Sequence, residues 1–203
     1  MLSPDEIRKK NQRTIIMMVG AFILPVVIAY LVYIGSDFTK TRNNGELITP
    51  PRPLTELKLT GIDNKAFSFE ELKGNWHLVY IGNEHCDQVC QDILSKMHQT
   101  RMGQGKAMSR VDLIYIHPGK LNSPMAQKLT KSYSRLKILG YDASFSPVLN
   151  RLFGKAPQEN VIKANRVYMI DPLGNLMMRY NHDARLIGII KDLEHLLRIS
   201  QVG

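Results

Sequence analysis

Hydrophobic residues fall along this chain in three rhythms, and each predicts a different element. The first is unbroken: residues 14–34, TIIMMVGAFILPVVIAYLVYI, carry no charge and match the ~20 residues that a helix needs to cross a ~30 Å hydrocarbon core. Pro25 lies inside this run, where membrane helices accept it because neighbouring groups satisfy the freed backbone. The second rhythm is a set of short apolar bursts rich in β-branched and aromatic residues, at 76–81 (WHLVYI), 111–116 (VDLIYI) and 167–170 (VYMI), which read as buried strands. The last burst continues through Asp171-Pro172-Leu173-Gly174 into residues 175–180, a pattern that predicts a β-hairpin. Residues 57–59 read as a further short strand with a turn at 61–65. The third rhythm is helical. Leu186, Ile189, Ile190, Leu193, Leu196 and Leu197 line one stripe with charges opposite, which predicts an amphipathic helix. Shorter helical patterns follow Cys86, run over 123–136 and over 147–153. Strands separated by helices, then a hairpin and a closing helix, predict an α/β domain with a mixed sheet.

A secretory signal peptide has a shorter apolar region, ~7 to 15 residues, followed by a small-residue cleavage site. The bulky Tyr33-Ile34-Gly35-Ser36-Asp37 offers no such site, so the run reads as an uncleaved anchor. Arg8, Lys9, Lys10 and Arg13 precede it, and the positive-inside rule then keeps residues 1–13 as a cytoplasmic tail and sends everything beyond the 14–34 span outward. The expected location is the inner (cytoplasmic) membrane with the domain in the periplasm, or the mitochondrial inner membrane in a eukaryote. Residues 35–53 are polar, then rich in proline, and read as a tether. Residues 54–203 then form one exported domain, long enough to bury its own core.

The net charge of +9 is only partly supplied by the tail, where Asp5 and Glu6 offset two bases. A basic exported part suits an anionic membrane surface or an acidic partner face, and scattered solvated lysines produce the same balance. The absence of a Lys/Arg block interleaved with aromatics argues against nucleic acid. With no paired carboxylates, Ser-His-Asp set or phosphate-cradling glycine loop, hydrolases and nucleotide enzymes find no support.

The candidate chemistry sits at Cys86 and Cys90, the only cysteines, in GNEHCDQVCQDIL directly after the 76–81 strand. Val89, Cys90, Ile93, Leu94 and Met97 make an apolar helical face, so Cys90 is expected to face inward and Cys86 to fall at the helix N-terminus. There, free N–H groups and the helix dipole lower a thiol's pKa, and a protonated His85 adds to the effect. Helical neighbours at this spacing lie ~6 Å apart, inside the ~4.4 to 6.8 Å range of a disulfide. A redox pair, a thiolate metal site and a structural staple all fit. The staple is the weaker in energy, since so short a loop contributes roughly 2 kcal/mol before strain against ~3 for a 15-residue loop.

The anchor, the Pro-containing tether and a strand followed by G-x-x-H-C-x-x-x-C and a helix together resemble the Sco/SenC family of cytochrome c oxidase assembly proteins. The likeness extends over most of residues 54–200, including Tyr168-Met169-Ile170-Asp171-Pro172-x-Gly174. It implies a thioredoxin-like domain, a mixed central sheet flanked by helices. In it Cys86 and Cys90 take the places of two redox-active, copper-binding thiols. It further implies Cu(I) as the metal and cytochrome c oxidase subunit II, or another membrane-bound oxidase component, as the partner. The chain departs from the family at three points. Asp87 and Gln91 stand where prolines follow the cysteines, and Lys163 stands where the family has its third copper ligand, a histidine. Two thiolates still suit Cu(I), while a lysine near them stabilises a thiolate without binding copper, which shifts the expectation toward thiol–disulfide exchange.

Three histidines compete for the missing ligand position. His85 adjoins Cys86, although the family's histidine there is not a principal ligand; His117 reads as a strand-end residue with a backbone partner, and His182 as a loop or helix-cap residue. Met177 and Met178 are neighbours on a strand and point to opposite faces, so at least one fills core. The expected function is that of a membrane-anchored oxidase assembly factor, acting as thiol–disulfide reductant, Cu(I) carrier or both. A non-catalytic thioredoxin-like scaffold with relict cysteines is the alternative. A general exported thiol reductase is a third option, though it would more often carry C-x-x-C.

Overall fold

The apolar run is helical from end to end. In the computed structural model, which describes residues 4–35, 43–83, 85–119 and 124–200, the first unit is a single helix, α1 (Pro4–Gly35), with Pro25 inside it. The stretch Asn11–Ile34 is long and apolar enough to cross a membrane. Helical backbone bonds are all internal to the segment, which is what a lipid environment demands. The basic residues read as a separate tail lie in the opening turns of this same helix.

The second unit starts at Asn43 and is built on an eight-stranded mixed sheet in the order β1-β8-β7-β4-β5-β6-β2-β3. Its centre is β4 (Trp76–Ile81), parallel to β5 (Val111–Pro118), which is parallel to β6 (Leu136–Tyr141). Every residue of β4 is buried, as expected of a strand covered on both faces. On the other side of β4 runs the hairpin of β7 (Val167–Ile170) and β8 (Asn175–Tyr180), antiparallel to it. The hairpin turn works as its sequence suggested: the Asp171 carboxylate accepts from the amides of Leu173 and Asn175, and Gly174 takes a positive φ of 87°.

Two hydrophobic cores flank the sheet. On one face, α2 (Gln88–Met102), α3 (Pro124–Ser132) and α5 (Leu186–Ile199) form a helical layer over Leu78, Tyr80, Leu113 and Tyr115. On the other, α4 (Ser146–Phe153) covers Val79, Ile81, Ile114 and Tyr168. Of the paired methionines, Met178 is buried in the first core and Met177 packs at its margin.

Two parts of the sequence reading need correction. Of the stretch read as a tether, residues 36–42 lie outside the described residues and 46–53 form β1 (Glu46–Pro53), an edge strand antiparallel to β8. Its three prolines suit an outer strand, where missing N–H groups go unnoticed and block further pairing. The helix read over 123–136 ends at Ser132, and residues 136–141 are β6 instead. The chain turns at Arg135, whose φ of 61° is a conformation usually signalled by glycine. The strand read at 57–59 falls two residues later as β2 (Leu59–Gly61), which pairs with β3 (Ala66–Phe67).

The chain enters the folded unit through a buried carboxylate. Asp192 of α5 is 6% exposed and accepts from the amides of Asn44 (2.9 Å) and Gly45 (2.9 Å), from the Asn44 side chain (2.8 Å) and from the Tyr180 phenol (3.1 Å). Gly45 and Gly188 permit the close fit: a Cβ at Gly45 would meet the Tyr180 ring at 2.4 Å, and one at Gly188 would meet Asn44 at 2.9 Å. Replacing Asp192 by alanine strands several buried donors at ~1 to 3 kcal/mol each. Asp192→Ala is therefore expected to lower the unfolding free energy by about 3 kcal/mol or more, read from urea denaturation.

A second buried polar group makes stability depend on pH. His77 is fully buried, its Nε2 donates to the Leu72 carbonyl at 2.9 Å, and burial holds its pKa below the ordinary 6.5. The unfolded chain then takes up a proton that the folded one refuses. This contribution to stability is complete above about pH 6.5 and is lost progressively as pH falls below it. The urea midpoint should fall between about pH 7.5 and 5.5, and the fall should flatten in a His77→Gln variant.

Candidate functional site

The cysteine motif leaves the C-terminal end of β4 and runs into α2, with its residues at the edge of the first core. Cys86 and Cys90 are joined by a disulfide, their Cα atoms 5.1 Å apart. Both sulfurs sit in buried residues, Cys86 5% and Cys90 1% exposed, so Cys86 is the one nearer solvent. Cys90 faces inward with Ile93, Leu94 and Met97, as the helical pattern required, whereas Val89, read onto the same face, is exposed.

The start of α2 differs from the sequence expectation. The N-cap is Asp87, and its carboxylate accepts from the Cys90 amide at 2.9 Å. Cys86 therefore lies one residue outside the helix, and a side chain already negative takes the free N–H closest to the pair. Acidic caps are favoured here because they pair with the positive end of the helix dipole. Gln91 also bonds across the loop: its side-chain amide donates to the Cys86 carbonyl at 3.4 Å, and its backbone N–H to the Asp87 carbonyl at 3.0 Å. The two residues that depart from the Sco pattern thus fasten the loop that the cysteines close.

Beneath the motif lie two tyrosines that the sequence reading did not single out. Tyr80 of β4 and Tyr115 of β5 occupy paired positions on parallel strands, and their rings stack at 5.6 Å with a 10° interplanar angle. Tyr115 donates to the Asn83 carbonyl at 2.5 Å, Tyr80 to the Asn165 side chain at 2.9 Å. Burial, with the Asp87 charge adding to it, pushes the Tyr80 phenol up to about 12; burial, Tyr80 and Asp87 push Tyr115 higher still. Both are therefore fixed donors across the working pH range. Gly82 is needed above them, since a Cβ there would come within 2.7 Å of Tyr80 and 2.9 Å of Tyr115. The available signal was the period-two spacing of Tyr80 with Gly82 and of Tyr115 with His117.

The remaining candidates scatter. His85 is exposed beside Cys86. His117 is buried at 6%, donates from Nδ1 to the Pro118 carbonyl at 2.7 Å and packs its ring 5.5 Å from Tyr115, in keeping with a strand-end residue. His182 is exposed in the turn after β8, its carbonyl accepting from Lys96. Lys163 is exposed, and among the described residues no hydrogen bond or ion pair joins its side chain to the cysteines; Asn160 holds its backbone N–H. From this segment it is Asn165, at a φ of 47°, that reaches the tyrosine pair. Among the described residues no group of three or more His, Cys, Asp or Glu side chains is arranged to hold a metal ion.

The motif also shares an end of the sheet with the point where the chain enters the domain. Val167 is the register partner of both Tyr80 and Tyr180, so the C-terminal ends of β4 and β8 lie together. Tyr180 is the residue that binds Asp192 beside Asn44.

Residues 76–200, which carry this motif, match a known family model, that of the transmembrane-like, thioredoxin-like, C-terminal domain. The chain belongs to that family. Its fold is thioredoxin-like, and its structural neighbours are Sco/SenC proteins. The copper-bound ScoI structures of Bradyrhizobium japonicum (22% identical, TM-score 0.51) and Arabidopsis thaliana (17%, 0.58) align over 73% and 74% of this chain and 98% of each of theirs. A third neighbour, BsSco, a Sco-family oxidase assembly protein with a disulfide switch, is 22% identical with a TM-score of 0.56 over 76% of this chain and all of its own. At these identities the likeness establishes the fold. A curated relative from Stutzerimonas stutzeri, a putative copper-binding protein, is 28% identical over 138 residues; the match covers 65% of this chain and 66% of that one.

If Asp87 holds α2 as described, Asp87→Ala should lower the unfolding free energy by about 1 kcal/mol. Hydrogen exchange should speed up at the amides of residues 88–91 before it does elsewhere in α2.

Proposed function

We propose that this chain is a membrane-held assembly factor for cytochrome c oxidase whose Cys86–Cys90 pair exchanges disulfides with a partner and takes Cu(I) as cargo. The observation that carries this reading is the disulfide itself, placed at the end of β4 and the start of α2 in a thioredoxin-like sheet, with Cys86 the slightly less buried of its two residues. The Sco-family neighbours, two of them with copper bound and one with a disulfide switch, and the copper-binding relative support it. The α1 helix supports a membrane location, with the folded unit on the exported side as the flanking Arg8, Lys9, Lys10 and Arg13 imply.

In the reductive direction, the reduced protein presents Cys86 as thiolate to a partner disulfide. The Cys86 sulfur bonds to one partner sulfur, and the other leaves as a thiolate, giving a mixed disulfide. Cys90 loses its proton and attacks the Cys86 sulfur, closing the intramolecular disulfide and releasing the partner as a dithiol. The two electrons gained by the partner are those lost by Cys86 and Cys90. Tyr80 and Tyr115 cannot serve as bases in these steps, because their phenols stay protonated; they set the floor against which the loop closes.

Cu(I) as cargo suits two sulfur donors. The donors brought together among the described residues are those two sulfurs, with His85 exposed beside them. A further ligand would come from His85 or from the receiving protein, a loose arrangement that suits handing the ion on.

The full-length chain in detergent provides the test. A reversible couple between Cys86 and Cys90 above about −300 mV is expected, since structural staples lie below that value. The reduced protein should bind about one Cu(I), lost in Cys86→Ser. A staple-like potential without copper binding, together with normal oxidase assembly when both cysteines are serine, would leave only a scaffold role.

A further inference from the structure

Charge and apolar exposure are distributed unevenly between the two faces of the domain. Every ion pair among the described residues lies outside α2, α3 and α5, on the strands, the α4 side and the loop before β7. The helical layer carries the opposite arrangement. Lys106, Lys128, Lys131, Arg185, Lys191 and Arg198 are exposed on these helices, at the head of α5 and on the 3-10 turn (Gly105–Arg110) that follows α2. None of the six pairs with a carboxylate among the described residues. The exposed acids within the same bounds are Asp87 at the cap of α2, Asp92 and Glu194.

The same layer also holds most of the exposed apolar bulk of the folded unit. Val89, Met102, Met125, Ile187 and Ile199 are all on α2, α3 or α5, with Ile187 53% and Ile199 60% exposed; away from these helices, among the described residues of this unit, only Ile62 and Leu173 are comparably exposed. Unpaired bases interspersed with exposed apolar side chains are the composition of a surface that lies at a lipid headgroup boundary: the bases meet anionic phosphates and the apolar tips enter the acyl margin. The point of chain entry agrees, because Asn44 is bound to Asp192 and Gly188 of α5. The folded unit, which begins at Asn43, thus starts at the flank of this layer.

We infer that the α2–α3–α5 layer is a docking surface for an anionic phospholipid bilayer. This goes beyond the proposed thiol and copper chemistry and does not depend on it. Docked in this way, the domain presents the cysteine motif, at the N-terminal edge of α2, along the rim of the contact and open to a partner held in the same membrane.

The test uses the full-length chain reconstituted in vesicles of phosphatidylcholine alone, or of two parts phosphatidylcholine to one part phosphatidylglycerol. Amine acetylation is read residue by residue by peptide mass. Labelling of Lys106, Lys128, Lys131 and Lys191, relative to Lys58 and Lys65 elsewhere on the domain, should fall at least about threefold on the anionic vesicles. It should recover at ~1 M salt, where the screening length is only ~3 Å. In a Lys106→Glu, Lys191→Glu double variant, the lipid-dependent protection of Lys128 and Lys131 should disappear. Equal ratios in the two lipid compositions, or protection that survives the double variant, would overturn the inference and point to an acidic protein as the partner of this face.

Discussion

A carboxylate removed from water has to find donors, and Asp192 finds them where the chain's entry at Asn44, 148 residues away in sequence, meets the end of β8 and α5. The amides of Asn44 and Gly45 and the Asn44 side chain come from the chain's entry, and the phenol of Tyr180 from the end of β8. No ion pair involves this carboxylate among the described residues, so fixed dipoles provide its compensation, and they do so only while all three segments stay in place. Removing any one would leave a buried charge partly unmet. The position of α5 on the sheet, the antiparallel pairing of β1 with β8 and the point at which the chain enters are therefore one coupled arrangement. Because α5 packs against α2, the helix that carries Cys90 rests on it as well.

At the cysteine motif the constraint is electrostatic. A helix start offers a few free N–H groups and a partial positive charge, and in this protein Asp87 already uses the one nearest the pair. Cys86, one residue outside, receives less of that field than a cysteine at the cap itself. What holds its geometry is the loop's own bonding, from Asp87 to the Cys90 amide and from Gln91 to the Cys86 carbonyl. Viewed from the resemblance alone, losing the prolines looks like decay of a motif. The bonds show a replacement: two polar side chains restrict the loop where rigid rings would otherwise do so.

The parts of this fold that were legible in the sequence are those whose signals are local. The long apolar helix α1 announces itself by its unbroken run, and β4, β5, the β7–β8 hairpin and α5 each carry a period or a turn signature within a dozen residues or so. The cysteine pair was legible for the same reason, through spacing and its place after a strand. The misread elements depend on partners far away. Residues 46–53 have the composition of a linker and become β1 only because β8 offers an edge and Asp192 holds Asn44 beside it. β6 was hidden because Arg135 adopts a positive φ without the glycine that would announce a turn. Tyr80 and Tyr115 meet only through the parallel register of β4 and β5. Lys163 was placed at the site by counting along the chain, whereas the segment's own turns bring Asn165 there.

The correction at β1 also moves the start of the folded unit, which begins at Asn43 rather than at residue 54. Its first residues are fixed by Asp192 and by the pairing of β1 with β8. That start lies at the same end of the sheet as the cysteine motif, because Val167 is the register partner of both Tyr80 and Tyr180. A strand added at the other edge, beside β3, would leave the two apart. The placement of Asn44 against α5 thus puts the start of the domain and the helix that carries Cys90 under one set of contacts, β1 on β8, Tyr180 on Asp192 and α5 on α2.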